Sequence, residues 1–259
     1  MRDLLKFEFR KLSKNLLFYI LGGVLIAMTL LSAVLTRVLL DTMHAFGDDS
    51  DAFAEVGGLA LSAATYFLQG LSQSQITLIL AVFVCLFALR DNNGPIKTII
   101  SKGYSREKIF FAKYIVSLSA ALIYAVASIG FSYPIALLVF GEMGELPSNI
   151  WLLLLGQVLS VAAMQSVYFA VAYSIGKTPL SMLSCIILPT VVALICQLID
   201  GFANTSEITV SQFWLGSLLN SFSYPNTSDS GLIISFSMSG AYIAASIIVG
   251  ALLSKNKQY

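Results

Sequence analysis

Long apolar stretches separated by short polar segments make up most of this chain. Six of them reach or approach the ~20 residues that an α-helix needs to cross about 30 Å of hydrocarbon. We therefore predict an all-α, polytopic membrane protein in which residues 1–259 form one transmembrane domain. The six predicted spans lie at about 16–37, 68–89, 114–140, 150–175, 180–199 and 231–253.

The first fourteen residues are too charged to cross a bilayer, but their pattern is typical of a two-sided helix. Leu5, Phe9 and Leu12 fall on one side of a helical wheel, and basic residues that include Arg10 fall on the other. This spacing predicts an amphipathic helix over residues 1–14 that lies in the membrane interface. The alternative is a basic flank that only sets topology.

Two longer segments between spans carry apolar residues of their own. Residues 200–230 contain an interrupted apolar run around Trp214 that is too short to cross, which favours a short re-entrant or interfacial helix. Residues 41–69 contain Gly57 and Gly58. The pattern leaves open whether Leu59 to Phe67 extend the second span or lie flat.

Residues 90–113, between the second and third spans, form the longest basic segment. Pro95 to Ser101 are predicted to form a short helix, because Asn93 can cap it and isoleucines recur on one side. Gly103 ends that helix. Ser105 can cap a second helix that continues into the third span.

Composition and charge place the chain in a membrane and orient it. Hydrophobic residues make up 57% of the chain and charged residues 11%, with a mean hydropathy of +0.83, whereas about a quarter of the residues in soluble domains are charged. Fourteen of the fifteen lysines and arginines fall on one predicted face, and Arg37 alone falls on the other. Because basic loops stay in the cytoplasm, we expect both termini inside.

Few residues in the chain are suited to catalysis. The lone histidine, His44, lies in a predicted outer loop, and Cys85, Cys185 and Cys196 fall within apolar spans, so neither a metal site nor intramembrane proteolysis is indicated. Gly176-Lys177-Thr178 ends like a phosphate-binding loop, but the glycine required five positions earlier is Val171. We expect no enzyme activity and no cofactor in this chain.

Uncharged polar side chains within the predicted spans are the candidates for lining a substrate path. Their alternative role is hydrogen bonding between helices. They are Tyr124, Tyr133, Gln157, Gln165, Tyr168 and Gln197. A weakly polar path suits an amphipathic peptide or a lipid-like compound better than an ion. Proton-coupled transport lacks its usual machinery, because no predicted span has an ionisable residue near its centre.

The basic segment resembles the first cytoplasmic loop of ABC-2 type permeases, the membrane subunits of ATP-driven exporters. That loop has a glycine, an Ile/Leu-Lys pair, a short apolar helix and a Ser-Arg pair that starts the next span. The matching residues are Gly94, Ile96, Lys97, Ile99, Ile100, Ser105 and Arg106, and Pro95 and Lys102 lie among them as further candidate coupling residues. The chain departs from the family pattern at Asn93 and Tyr104, where the family often has an acidic residue and a proline.

The resemblance implies a function and a set of partners. The short helix from Pro95 to Ser101 and the matching residues around it would be the coupling contact for a separate cytosolic ATPase that binds ATP and magnesium. The amino-terminal residues Leu5, Phe9, Arg10 and Leu12 would be a second contact. The chain would work beside a second permease copy or paralogue in a bacterial plasma membrane. It would export an amphipathic peptide or lipid-like compound, like permeases of bacteriocin immunity, with no role for nucleic acid. The alternatives are a membrane immunity or binding protein that does not transport, and an ion-gradient-driven carrier.

Overall fold

The computed structural model describes residues 1–44, 63–71, 74–90, 103–141, 143–144, 146–203, 209–223 and 229–256. Within these ranges all regular secondary structure is helical. The helices are α1 (Arg2–Ser13), α2 (Leu16–His44), α3 (Ala63–Gln69), α4 (Ser74–Leu89), α5 (Arg106–Phe140), α6 (Ile150–Ile175), α7 (Thr178–Ala203), a 3₁₀ helix (Val210–Phe213), α8 (Leu215–Ser221) and α9 (Asp229–Asn256). The predicted all-α fold class is confirmed for this part of the chain.

Five of the described helices, α2, α5, α6, α7 and α9, are long and apolar enough to cross a membrane. This number fits a multi-pass membrane protein. The predicted second span, 68–89, is instead divided. It begins in the seven-residue helix α3 and continues as α4. With 16 residues, α4 is about 24 Å long, which is shorter than the hydrocarbon layer.

Side-chain capping and glycine conformation set several helix ends where the sequence predicts them. The Ser105 hydroxyl accepts a hydrogen bond from the Lys108 amide at 3.4 Å, and α5 then runs without a break from Arg106. Gly176 adopts φ +74° after α6, a left-handed conformation that favours glycine. The Gly-Lys-Thr segment is therefore a helix-ending turn between α6 and α7.

α6 lies at the centre of the bundle. It packs against α4, α5, α7, α8 and α9, and 56% of its most apolar 18-residue stretch is buried inside the protein. Small residues recur at every fourth position on α6 and on α9, and the two sets have different surroundings. On α6, Ala162 and Ser166 are buried, and Ser166 shares a 2.7 Å hydrogen bond with Tyr114 of α5. On α9, Ser237 and Ala241 are exposed in the single chain.

One end of the bundle gathers the amino-terminal helix with the ends of several others, and we call it the basic end. α1 packs across the first turns of α5, where Leu4 joins a cluster with Ile109 and Ala112. The last turns of α9 reach the same place, since a side chain at Gly250 would collide with the Phe110 ring. α3, the 3₁₀ helix and α8 lie toward the opposite end of the bundle.

Candidate functional site

A cavity of about 340 Å³ lies between α6 and α7. Tyr168 of α6 lies on one side, and Pro189 and Gln197 of α7 lie on the other. α8 and Trp214, which precedes it, complete the wall. The volume is within the range of sites that hold small molecules.

The wall of this cavity carries polar groups but no charge among the described residues. Thr190, Gln197 and Asn220 contribute hydroxyl and amide groups, while leucines, valines and Trp214 supply apolar surface. Pro189 has no amide hydrogen to give to the Cys185 carbonyl one turn earlier, so the α7 backbone is less regularly bonded beside the cavity. A neutral or amphipathic molecule matches this lining better than an ion does.

The 3₁₀ helix beside the cavity is hydrogen-bonded to two long helices, α7 and α9. The Asp200 carboxylate at the end of α7 accepts hydrogen bonds from the amides of Val210 and Ser211 at 2.5 and 2.9 Å. The Tyr242 hydroxyl of α9 donates to the Phe213 carbonyl at 3.0 Å. These bonds hold the 3₁₀ helix, and they keep Trp214 next to the cavity.

Gln157 of α6 has a structural role that explains the divided second span. Its Nε2 donates to the Leu68 carbonyl of α3 at 2.6 Å and to the Phe222 carbonyl after α8 at 3.1 Å. Both carbonyls belong to helix ends, which lack partners within their own helix. The Ser128 hydroxyl donates to the Gly70 carbonyl at 3.4 Å. The break between α3 and α4 is tolerated because α5 and α6 supply donors to its carbonyls.

The structure brings two of the six predicted path residues, Tyr168 and Gln197, to the cavity. The other four lie elsewhere, and three of them bond between helices. Gln157 binds helix ends as described, Gln165 donates to Ser117 at 2.9 Å, and Tyr124 donates to the Phe18 carbonyl at 2.8 Å. Tyr133 is exposed beside Phe67. The alternative role, interhelical hydrogen bonding, is the observed one for these three.

Sequence analysis missed several residues of the cavity. Thr190, Ser217 and Asn220 line it but were not among the candidates, and Trp214 was expected only in a short re-entrant or interfacial helix. Pro189 was the available signal, because a proline inside a long apolar helix marks a place where packing and backbone bonding change. The sequence of α8 has no feature that predicts its contact with α6 and α7.

The predicted coupling residues fall in two groups. Ser105 and Arg106 are at the start of α5, where Ser105 caps the helix as expected. The rest lie outside the described residues. They are Gly94, Pro95, Ile96, Lys97, Ile99, Ile100 and Lys102.

Charged side chains are buried at the basic end, which sequence analysis did not predict. Lys113, two turns into α5, is 0% exposed, and its Nζ donates to the Ala88 carbonyl at the end of α4 at 3.2 Å. Glu8 of α1 is also 0% exposed. A buried charge is costly unless its surroundings compensate it. α4 and α5 are therefore joined at this point by a specific polar contact, and α1 packs onto α5 through the apolar cluster of Leu4, Ile109 and Ala112.

The amino-terminal helix is present as predicted, but its packing face is rotated. Its buried residues are Leu4, Glu8 and Leu12, while Leu5 is half-buried and Phe9 and Arg10 are exposed. The rotation follows from the position of α5, which α1 contacts along one stripe. Phe9 remains available to lipid or to a partner.

No protein-family model matches this chain, and no curated protein matches it in sequence. Its described helices define its class, which is an all-helical protein with several candidate membrane-spanning helices.

Proposed function

We propose that this chain is the membrane subunit of an ATP-driven exporter whose ATPase is a separate cytosolic protein. The termini and the basic end face the cytoplasm, and α4 with the preceding break serves as a sixth crossing. The cargo is an amphipathic peptide or lipid-like compound that passes through the neutral cavity between α6 and α7. A second copy or a paralogue completes the transporter, and the exposed small residues of α9 offer a face for it.

The observation that carries this proposal is the contact between α4 and α5 at the basic end. Lys113 connects the start of α5 to the Ala88 carbonyl at the end of α4, and α1 packs across the start of α5. These two helix ends are the flanks of the basic segment that resembles a coupling loop. A force applied to that segment is passed to α4 and α5 together, because their ends are fixed to each other.

A membrane binding or immunity protein is the second candidate function. The observation in its favour is the cavity itself, since a neutral site of about 340 Å³ can retain an amphipathic molecule without any motor. Binding alone, with no movement across the bilayer, would be its activity.

Reconstitution in vesicles separates the two functions. We expect ATP-dependent movement of a fluorescent amphipathic peptide when the chain is combined with an ATP-binding cassette ATPase that is encoded beside it or co-purifies with it. The movement should resist ionophores that collapse ion gradients. Peptide binding without ATP-dependent movement would support the binding protein, and movement driven by an ion gradient would support a carrier. Either result would overturn the exporter.

Two sets of variants test the coupling role. Ile99→Asp with Ile100→Asp should leave insertion intact and weaken ATPase association at least about ten-fold, since each carboxylate would have to be desolvated. Leu146→Asp, an exposed residue between α5 and α6, is the control. Glu8→Lys places a cation at the basic end near a helix that already buries Lys113, so transport should fall, while exposed Asp3→Lys should not change it. Full association of the isoleucine variant would remove the coupling role.

A further inference from the structure

A second, smaller cavity of about 280 Å³ lies at the basic end, apart from the one between α6 and α7. It is lined by Asn15, Leu17, Leu86, Arg90 and Thr178. These residues come from the start of α2, the end of α4 and the start of α7. α2 and α7 each pack against α4 but not closely against each other, so the cavity is a gap between them with α4 as its back wall.

The polar side of this cavity is cationic. Arg90 is exposed, and within the described part of the chain it makes no hydrogen bond or ion pair. Lys14 and Lys177 directly precede Asn15 and Thr178 in the sequence. The nearest acidic residue in sequence, Asp91, lies outside the described residues. A guanidinium with hydroxyl and amide neighbours is suited to a phosphate group, which it can bind through two parallel hydrogen bonds.

The other side of the cavity is apolar, and the neighbouring helix turns also expose apolar residues. Leu17 and Leu86 line it directly. The adjoining turns of α2 expose Leu16 and Ile20, and those of α7 expose Leu180 and Leu183. A free phosphate ion would use none of this surface. A molecule with a phosphate at one end and hydrocarbon at the other would use both sides.

We propose that this cavity binds the headgroup of an anionic phospholipid. Its phosphate lies against Arg90, within reach of Asn15 and Thr178, and its acyl chains run along the exposed apolar turns of α2 and α7. Basic pockets between membrane helices are known places for anionic headgroups. The bound lipid would fill the gap between α2 and α7 and join them at the basic end of the bundle.

Native mass spectrometry of the delipidated full chain tests this without any ATPase. We expect phosphatidylglycerol to remain bound at least about ten-fold more than phosphatidylcholine with the same acyl chains, since the cationic wall favours the net negative lipid. Arg90→Gln should abolish that preference. Arg37→Gln is the matched control, because Arg37 is exposed and lies 3.2 Å from Asp41, far along α2 from the cavity.

Three outcomes would overturn the proposal. Equal retention of the two lipids would exclude a headgroup site, and a preference that survives in Arg90→Gln would place the site elsewhere. Inorganic phosphate that displaces phosphatidylglycerol at equal concentration would show a site for free phosphate rather than for lipid. None of these outcomes bears on ATP-dependent transport, so the site and the proposed function fail or stand separately.

Discussion

α6 and α7 follow one another in the chain and have 26 residues each, yet they occupy opposite kinds of environment. More than half of the apolar stretch of α6 is buried inside the protein, against 6% for α7. α6 presents alanines, serines and two glutamines to its neighbours, while α7 exposes large residues such as Leu188 and Leu194. Small residues allow close helix packing, and large ones suit a surface that faces lipid.

The difference teaches how a cavity forms in a bundle of apolar helices. α6 is fixed on nearly every side, whereas α7 is held along one stripe and contains Pro189. The gap opens between the fixed helix and the loosely held one. α7 is therefore the less tightly packed of the two helices that border the cavity.

The largest expected effect tests how firmly α6 is fixed. Gln157→Leu removes the donor of the Leu68 and Phe222 carbonyls, and leaving buried carbonyls without a partner should lower the free energy of unfolding by about 2 to 4 kcal/mol. Unfolding in a denaturing detergent would measure the loss. Gln165→Leu is the matched control. It removes one bond to a hydroxyl and should cost about 1 kcal/mol.

Both glutamines are fully buried with an Oε1 that accepts no hydrogen bond within the described residues, so they differ in the groups to which they donate. Equal losses from the two variants would contradict the special role of Gln157 at the two helix ends.

An intermediate effect is expected from one substitution made in both helices. Ala163→Leu adds volume where α6 is 0% exposed and should cost about 1 to 3 kcal/mol through overpacking. Ala193→Leu adds the same volume at the cavity wall of α7, where space is available, and should change stability by less than about 0.5 kcal/mol. Thermal unfolding in mild detergent compares them. A larger loss from the α7 variant would mean that the cavity is not open space.

The last test is a cross-link that checks the position of α7 rather than the stability of the protein. The thiols of Cys85 on α4 and Cys185 on α7 lie 3.6 Å apart. In a Cys196→Ala background, oxygen with copper phenanthroline should convert this pair to a disulfide, with both thiol hydrogens removed by the oxidant. Peptide mass spectrometry would identify the linked pair. Cys85 that stays open to alkylation after treatment would place α7 away from α4.

The sequence allowed some of these features to be predicted, because they depend on local properties. The ends of α6 follow from an apolar run that stops at Gly176, and the start of α5 follows from the capping residue Ser105. The division of the second span could not be predicted in this way. Gln69, Gly70 and Ser74 interrupt its apolar pattern near the break, but the donors that make the break possible are on Gln157 and Ser128, far away in the chain.

The candidate site shows the same limit. Tyr168 and Gln197 were predicted from their type and position, but Gln157, Gln165 and Tyr124 share those properties and lie outside the cavity. Which polar side chain faces a cavity and which one bonds a neighbouring helix depends on the rotation of each helix. That rotation is fixed by packing. The sequence does not specify it, because almost every face of these helices is apolar enough to pack against a neighbour.

What the sequence by itself determined is the all-helical character, the approximate positions of the long helices and the concentration of basic residues in a few segments. Hydrophobicity, capping and charge act over a few residues, so they can be read along the chain. Only the tertiary structure decided that α6 is central and α7 peripheral, that Glu8 and Lys113 are buried, and that cavities form between α6 and α7 and beside Arg90. These properties depend on contacts between residues that are distant in sequence. Apolar segments of similar length do not specify which helices they pack against.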